Sequence, residues 1–205
     1  MELYFIRHGE TIWNKAGKIQ GHADIALNEN GRQIAMLTGK ALEDVHFDKI
    51  FSSPLVRAYE TAKIIGASRN IDIIISEELK EIGFGEYEGA VFNEHINDPQ
   101  SPIYTFFKKP DSYIPSKGGE SIEDLCLRAA RFLEEVIMPL EKSCERVMAV
   151  AHGAMIKALL TYIKKLDKKD FWSGAYQKNC AVTIIDIKAS KLNIIKEGII
   201  LADLT

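Results

Sequence analysis

The sequence predicts an α/β protein: a three-layer α/β/α sandwich around a largely parallel sheet, occupying residues 1–205 as one domain, with an inserted lid region at about 83–119. Three observations carry this prediction. Short apolar runs at 3–6, 49–52, 71–75 and 147–151 alternate with stretches of helical periodicity, the pattern that builds parallel sheets. Two of those runs stop at His-Gly, once at His8-Gly9 and again at His152-Gly153. The rhythm then breaks between Gly83 and Gly119, a stretch holding Pro99, Pro102, Pro110 and Pro115 and many aromatic residues.

Each element has its own signal. The four runs are short and almost continuously apolar, as strands covered on both faces are. Asn28 caps a helix that reaches about Leu42, with Ile34, Leu37, Thr38 and Ala41 on its buried stripe. Ser53-Pro54 reads as an N-cap followed by Pro at the first helical position. The helix it starts carries Leu55, Tyr59, Ala62 and Ile65 on one face. Ser121 caps a long helix whose stripe is Ile122, Leu125, Ala129, Phe132, Val136, Ile137 and Leu140, and Pro139 should kink or end it. A further helix follows Gly153 through Ile156, Leu159, Leu160 and Ile163. Runs at 181–187 and 192–199 flank Lys188-Ala189-Ser190-Lys191 and read as a hairpin. The insertion is long for a connection in a compact domain, which favours a lid over the sheet's carboxyl edge. Its aromatic residues supply either its own small core or contacts to a ligand.

Composition narrows the function classes. At 46% hydrophobic and 27% charged residues the chain reads as an ordinary globular protein. A net charge of −3 gives no overall electrostatic case for nucleic acid or an anionic membrane, so neither is expected as a partner. Any anion site must be a local cluster of positive charge. Cys126, Cys144 and Cys180 are widely spaced and form no C-x-x-C pair, which fits reduced thiols. The opening residues enter a strand without a basic leader, and no apolar run approaches the ~18 residues of a membrane span. A cytoplasmic location is therefore expected. His8, His22, His46, His95 and His152 are scattered with no metal-ligand spacing, so neither a metal nor another cofactor is expected.

The chemistry follows from where the polar residues fall. Ligands of open α/β sheets sit at the carboxyl ends of strands. His8 and His152 each follow a strand, Arg7 adjoins the first, and Arg57 lies in the first turn of a helix, where backbone N–H groups already favour an anion. Two arginines and two histidines around one point make a phosphoryl site. Hydrolysing a phosphate ester without a metal needs a neutral nucleophile, a cationic shell and an acid for the leaving oxygen. The acid is the least distinct of these. Glu77, Glu78, Glu81, Glu86, Glu88, Glu94 and Asp98 crowd one segment, and such a run is ordinarily a solvated face.

At these residues the chain resembles the histidine phosphatase superfamily, also called phosphoglycerate mutase-like. The motifs are Arg7-His8-Gly9-Glu10-Thr11 with Trp13-Asn14, Gly17-Lys18-Ile19-Gln20-Gly21, Ser52-Ser53-Pro54-Leu55-Val56-Arg57-Ala58, Glu81-Ile82-Gly83-Phe84-Gly85, Gly118-Gly119-Glu120-Ser121 and Ala151-His152-Gly153. They occur in the family's order along nearly the whole chain. The resemblance implies a metal-independent phosphomonoesterase acting on a small phosphorylated metabolite. His8 would form a phosphohistidine, Arg7, Arg57 and His152 would hold the phosphoryl oxygens, and Glu81 would be acid and then base. Asn14, Gln20, Gly21 and Gly153 would bind substrate. The phosphatase branch is implied, with enzymes of α-ribazole phosphatase, metal-independent phosphoserine phosphatase and broad-specificity acid phosphatase type as models; α-ribazole phosphate and phosphoserine-like metabolites are the substrates it suggests. A bisphosphoglycerate-dependent mutase is an alternative, but mutases carry an acid motif of Glu-Arg-His-Tyr-Gly type that is absent here. A phosphate-binding module without turnover is a second alternative. Ala151 and Ala154 depart from the family's more frequent Ser or Thr and Gly. The alcohol end of a substrate would be chosen by the insertion, around Tyr87, Phe92, Tyr104, Phe107 and Lys117. The closing hairpin presents a strand edge with which a second copy can pair as a homodimer.

Overall fold

The computed structural model describes residues 1–201. Its strands are β1 (Glu2–Arg7), β2 (Lys49–Ser52), β3 (Ile73–Ile75), β4 (Arg146–Ala151), β5 (Val182–Lys188) and β6 (Lys191–Ile199). They form one six-stranded sheet in the order β3-β2-β4-β1-β5-β6. The first four strands of that order are parallel, while β5 runs antiparallel to β1 and β6 antiparallel to β5. The sheet is therefore mixed, with the predicted hairpin as its antiparallel edge.

Side-chain alternation builds the two outer layers. Leu3 and Phe5 of β1 join Phe51, Val147 and Ala149 in one core, whereas Tyr4 and Ile6 join Ile50, Met148 and Val150 in the other. After α1 (Ile12–Lys15), the second core is closed by α2 (Glu29–Ala41) and α3 (Val56–Gly66). The first is closed by α6 (Ile122–Arg131) and α7 (Gly153–Lys164), with α4 (Phe92–His95) and α5 (Pro102–Lys108) belonging to the insertion. No helix among the described residues is long and apolar enough to cross a membrane.

Several local expectations need correction. The buried positions of α2 are Gly31, Ala35 and Thr38, while Leu37 is exposed. Small residues win that face because α2 lies close to its neighbours: a β-carbon at Gly39 would sit 3.1 Å from the Ile65 Cα, and one at Gly31 only 2.1 Å from the Glu10 carbonyl oxygen. Helix α3 begins at Val56 rather than directly after Ser53, and Tyr59 is exposed. Its first N–H is capped from a distance, by Asp24 Oδ1 at 2.6 Å from Val56 N. Strand β3 is shorter than expected, and its Ile74 and Ile75 are exposed at the sheet edge. The helix after Ser121 changes character before Pro139: regular α geometry ends at Arg131, a π-helical turn spans Phe132–Ile137, and a 3₁₀ turn spans Met138–Lys142. Proline has no N–H to give an α-helical carbonyl, which accounts for the loss of regular bonding ahead of it.

The insertion is seated in the main core. Fully buried Phe106 of α5 packs with ring centroids 5.1 Å from Phe84, 4.9 Å from Tyr113 and 5.2 Å from Trp172. Phe106→Ala should lower stability by about 3–5 kcal/mol, seen as a lower urea midpoint. Met36→Ala, on the exposed side of α2, should change it by no more than about 0.5 kcal/mol.

Candidate active site

Strand register brings the two histidines together. In the parallel pairing of β1 with β4, Arg7 stands opposite Ala151, so the next residues, His8 and His152, leave the sheet side by side. The His8 N–H donates to the Ala151 carbonyl at 2.9 Å, and the two imidazole centroids are 5.1 Å apart. On the other side of β4, β2 ends level with them: the Ser53 N–H donates to the Val150 carbonyl at 3.0 Å. The chain then turns into α3, whose first turn delivers Arg57.

Arg57 is fully buried, yet its guanidinium meets only main-chain oxygens, Ala23 O at 2.8 Å and Gly21 O at 2.7 Å. Gly21 reaches that position at φ +54°, and a β-carbon there would fall 2.1 Å from a Glu88 carboxylate oxygen, so glycine is required. Arg7 donates to the Gln177 carbonyl at 2.7 Å. The Nε of each arginine is buried without a partner, and neither guanidinium makes an ion pair among the described residues. Burial lowers the Arg57 pKa to about 10, against the opposing pull of Glu81 and Asp24, so it remains a cation at neutral pH. Buried charges are normally paired. Arg57 is held by carbonyl dipoles alone, and with half-buried Arg7 it makes an arrangement that can receive an anion.

The imidazoles are neutral and poised differently. His8 Nδ1 lies 2.7 Å from the Gly9 carbonyl oxygen. A carbonyl only accepts, so Nδ1 carries the proton and Nε2 the lone pair. Burial, then Arg57 and Arg7, hold the His8 pKa well below 6.5. His152 Nε2 lies 2.8 Å from Ser53 Oγ, and its Nδ1 is buried without a partner. Burial, followed by Arg57, His8 and Arg7, likewise holds its pKa well below 6.5.

The acid segment resolves into separate roles. Glu77 pairs with Lys80, Glu78 with Arg131, and Glu88 accepts from the His22, Ala23 and Phe84 N–H groups. Glu81 alone turns to the site. Its Oε1 accepts from Met155 N at 3.0 Å and Ile82 N at 3.1 Å, and its Oε2 from Ala154 N at 3.2 Å, so it sits on the N-terminus of α7. Arg128 holds the backbone behind it. That guanidinium grips both oxygens of Glu120 at 2.8 Å and donates to the carbonyls of Glu78, Lys80 and Glu81.

These groups border a cavity of about 430 Å³ lined at its polar end by Arg7, His8, Asn14, Gln20, Gly21, Arg57 and Glu81. Larger clefts of about 830 and 990 Å³ lie elsewhere, but the two arginines with unpartnered Nε atoms are here. Thr11 N–H donates to Asn14 Oδ1 at 3.1 Å, and its hydroxyl donates to Gln20 Oε1 at 2.9 Å. With both amide oxygens engaged, the amide N–H groups are what Asn14 and Gln20 can offer a ligand. Gly153 borders an adjoining recess, where Arg7 Nε and Glu81 Oε2 lie 3.6 and 3.9 Å from its would-be β-carbon. His152 is not on the cavity wall; it is fully buried beside His8. The outer wall is Lys18, Ile19, Phe84, Phe92, Phe107 and Tyr176, so of the insertion residues expected there only Phe92 and Phe107 arrive.

Two contributors escape sequence reading. Tyr176 and Gln177 come from the loop before β5, which the antiparallel pairing with β1 lays beside Arg7. That loop is pinned by the buried Lys157 ammonium, which donates to Ser173 O at 2.6 Å and Ala175 O at 2.8 Å, and by Glu197 of β6, which accepts from Ala175 N at 2.8 Å. Arg128 is the other; nothing in its helical stripe marks it.

Paired histidines at adjacent strand ends, with two arginines free of carboxylate partners beside them, fit a phosphate-handling α/β protein. The model of the histidine phosphatase superfamily (branch 1) matches residues 3–198, and the chain belongs to that family. It is 30% identical over 199 residues to phosphoserine phosphatase 1 of Hydrogenobacter thermophilus, covering 97% of this chain and 92% of that protein. It is 32% identical over 170 residues to a 2,3-bisphosphoglycerate-dependent phosphoglycerate mutase of Cytophaga hutchinsonii, covering 82% and 79%. The solved structure of Bacillus stearothermophilus YhfR superposes with a TM-score of 0.87 at 35% identity, covering 96% of each chain. Membership supports the phosphoric monoester hydrolase class expected from the motifs.

The neutral imidazoles couple this site to stability. Unfolded, each histidine takes up a proton near pH 6.5; folded, each resists it. Their contribution is therefore complete above about pH 6.5 and lost as the pH falls toward the depressed folded values. In phosphate-free buffer the thermal midpoint should drop between pH 7 and pH 5, and His8→Asn should make that drop shallower.

Proposed function

We propose that this chain hydrolyses a small phosphate monoester through a phosphohistidine on His8. The observation that carries the reading is a pair of guanidiniums without a carboxylate partner, the fully buried Arg57 and the half-buried Arg7, each with a buried and unpartnered Nε, beside an imidazole whose Nε2 bears a lone pair. The cations draw in the phosphoryl oxygens and stabilise the charge spread over them as the ester bond breaks. Their field and burial also keep His8 unprotonated and therefore nucleophilic.

In the first step His8 Nε2 bonds to phosphorus and the ester oxygen departs, taking a proton from the Glu81 carboxylic acid. In the second, a water oxygen attacks the phosphohistidine and gives its proton to Glu81. The phosphorus–nitrogen bond breaks, inorganic phosphate leaves, and both side chains return to their starting states. Planar guanidinium forks match phosphoryl oxygens, so Lys is not an equivalent replacement at either arginine.

The outer wall bears on the alcohol. Phe84, Phe92, Phe107, Ile19 and Tyr176 present apolar surface, and Lys18 is the one cation on that wall that the phosphoryl group does not need. Lys108, Lys109 and Lys117 are not among its lining residues. Such a wall suits a ring-bearing, uncharged alcohol, as in α-ribazole phosphate, better than the carboxylate and ammonium of phosphoserine. It also disfavours the mutase reading, which needs a second anion held while the substrate reorients. The substrate is a small cytoplasmic metabolite in this reading, and no metal or other cofactor takes part.

Rapid quench with a ³²P-labelled monoester should trap acid-labile, base-stable label on His8 that decays to free phosphate. His8→Ala should abolish the label; a variant that still turned over at the wild-type rate would refute the mechanism. Arg57→Lys should reduce kcat/KM by about 10²–10³ and Glu81→Gln kcat by about 10²–10⁴. Across a panel of α-ribazole phosphate, phosphoserine, phosphoglycerates and sugar phosphates, ring-bearing esters should release phosphate with the highest kcat/KM. Transfer between phosphoglycerate positions without phosphate release would establish the mutase instead, and tight phosphate binding without label or turnover the binding module.

A further inference from the structure

We propose that the Ser53 hydroxyl sets the tautomer of His152, making that imidazole a hydrogen-bond donor to the phosphoryl group. The inference deepens the reading above and rests on it for the nature of the ligand.

Ser53 is fully buried, and its hydroxyl was expected to cap a helix. Instead Ser53 Oγ lies 2.8 Å from His152 Nε2 and accepts from the Leu55 N–H at 3.3 Å. Those are its protein partners, while His152 Nδ1 has none. A hydroxyl has one proton to give, and a neutral imidazole has one N–H and one lone pair. Two arrangements fit the contact. If Nε2 carries the proton and donates to Ser53, the hydroxyl proton is left without an acceptor. Nδ1 then holds a bare lone pair that no donor meets. If Ser53 donates to Nε2, every group is used once: Leu55 N–H to Oγ, Oγ–H to Nε2, and Nδ1–H free for a ligand. Buried polar groups favour the arrangement that leaves fewest unpaired, here Nδ1–H of His152 alone.

The surroundings decide what that ligand is. Arg57, His8, Arg7 and Arg128 face the ring, and the carboxylate near it, Glu81, is tied to the backbone N–H groups of Ala154 and Met155. An N–H among guanidiniums is satisfied by a negatively charged oxygen. The two imidazoles therefore hold opposite tautomers. A carbonyl at Gly9 fixes the proton of His8 on Nδ1 and frees Nε2 to attack. A hydroxyl at Ser53 occupies Nε2 of His152 and fixes its proton on Nδ1 to bind. Ser53 is a positioning residue that acts through His152.

Imidazole ¹⁵N shifts separate protonated from bare ring nitrogens, with His152 assigned by comparison with His152→Asn. In the labelled full chain, with and without orthovanadate, His152 should show Nδ1–H and bare Nε2. Ser53→Ala should lose that signature, and vanadate affinity and kcat should each fall by about tenfold or more. Ser53→Thr, which keeps the hydroxyl, should restore all three. Nε2–H at His152 in the wild type would overturn the proposal, as would Ser53→Ala that retains the tautomer and the vanadate affinity. Should Ser53→Ala fail to fold, the wild-type spectrum decides alone. The spectrum does not depend on turnover: a wild-type chain with the expected tautomer and no esterase activity refutes the phosphatase reading, not the role of Ser53.

Discussion

One positive charge, Arg57, is kept inside this protein with carbonyl oxygens as its company, and a second, half-buried Arg7, is held on the same terms beside it. That constraint organises everything around it. Arg57 is held by the carbonyls of Gly21 and Ala23 and Arg7 by that of Gln177, which leaves further N–H donors on each for a ligand. The Nε of each is buried without a partner, and both side chains line the cavity that His8 borders. Pairing either arginine with a carboxylate would stabilise the empty protein and remove its grip on an anion. The carboxylate that is near, Glu81, is instead tied to the backbone N–H groups at the head of α7.

The sheet supplies the precision. Strands β2, β4 and β1 are hydrogen-bonded neighbours that end at one level, so three short segments deliver Ser53, His152 and His8 without any long loop having to find its place. Backbone bonds at 2.9 and 3.0 Å continue the ladder past the last strand residues and fix both His8 and Ser53. By contrast, the wall facing the alcohol comes from the insertion and from the loop before β5. The two ends of the cavity are thus built from parts with different freedom to vary.

Much of this was legible in the chain. Every strand is marked by its apolar run, and Arg7, His8, Arg57 and Glu81 could be picked out because each sits at a strand end, a helix start or an ordered motif. The misses share a cause. Periodicity alone favours Leu37 over Ala35 for the buried face of α2, because it cannot see that Gly31 and Gly39 bring the helix within reach only of small side chains. Ser53 has the local signature of a cap, and only the pairing of β2 with β4 reveals that a histidine about a hundred positions later claims its hydroxyl. Arg128, Tyr176 and Gln177 depend on docking of distant segments and carry no local mark.

The route by which Arg7 is secured has a further implication. Its carbonyl partner at Gln177 lies in a loop tied down by Lys157 and by Glu197 on the final strand. An emerging polypeptide still lacking β6, or one nicked by a protease within that strand, would possess both histidines and Arg57 but leave its first arginine without a firm anchor. Competence to clasp an anion is thereby tied to the antiparallel edge of the sheet, distant from Arg7 in sequence.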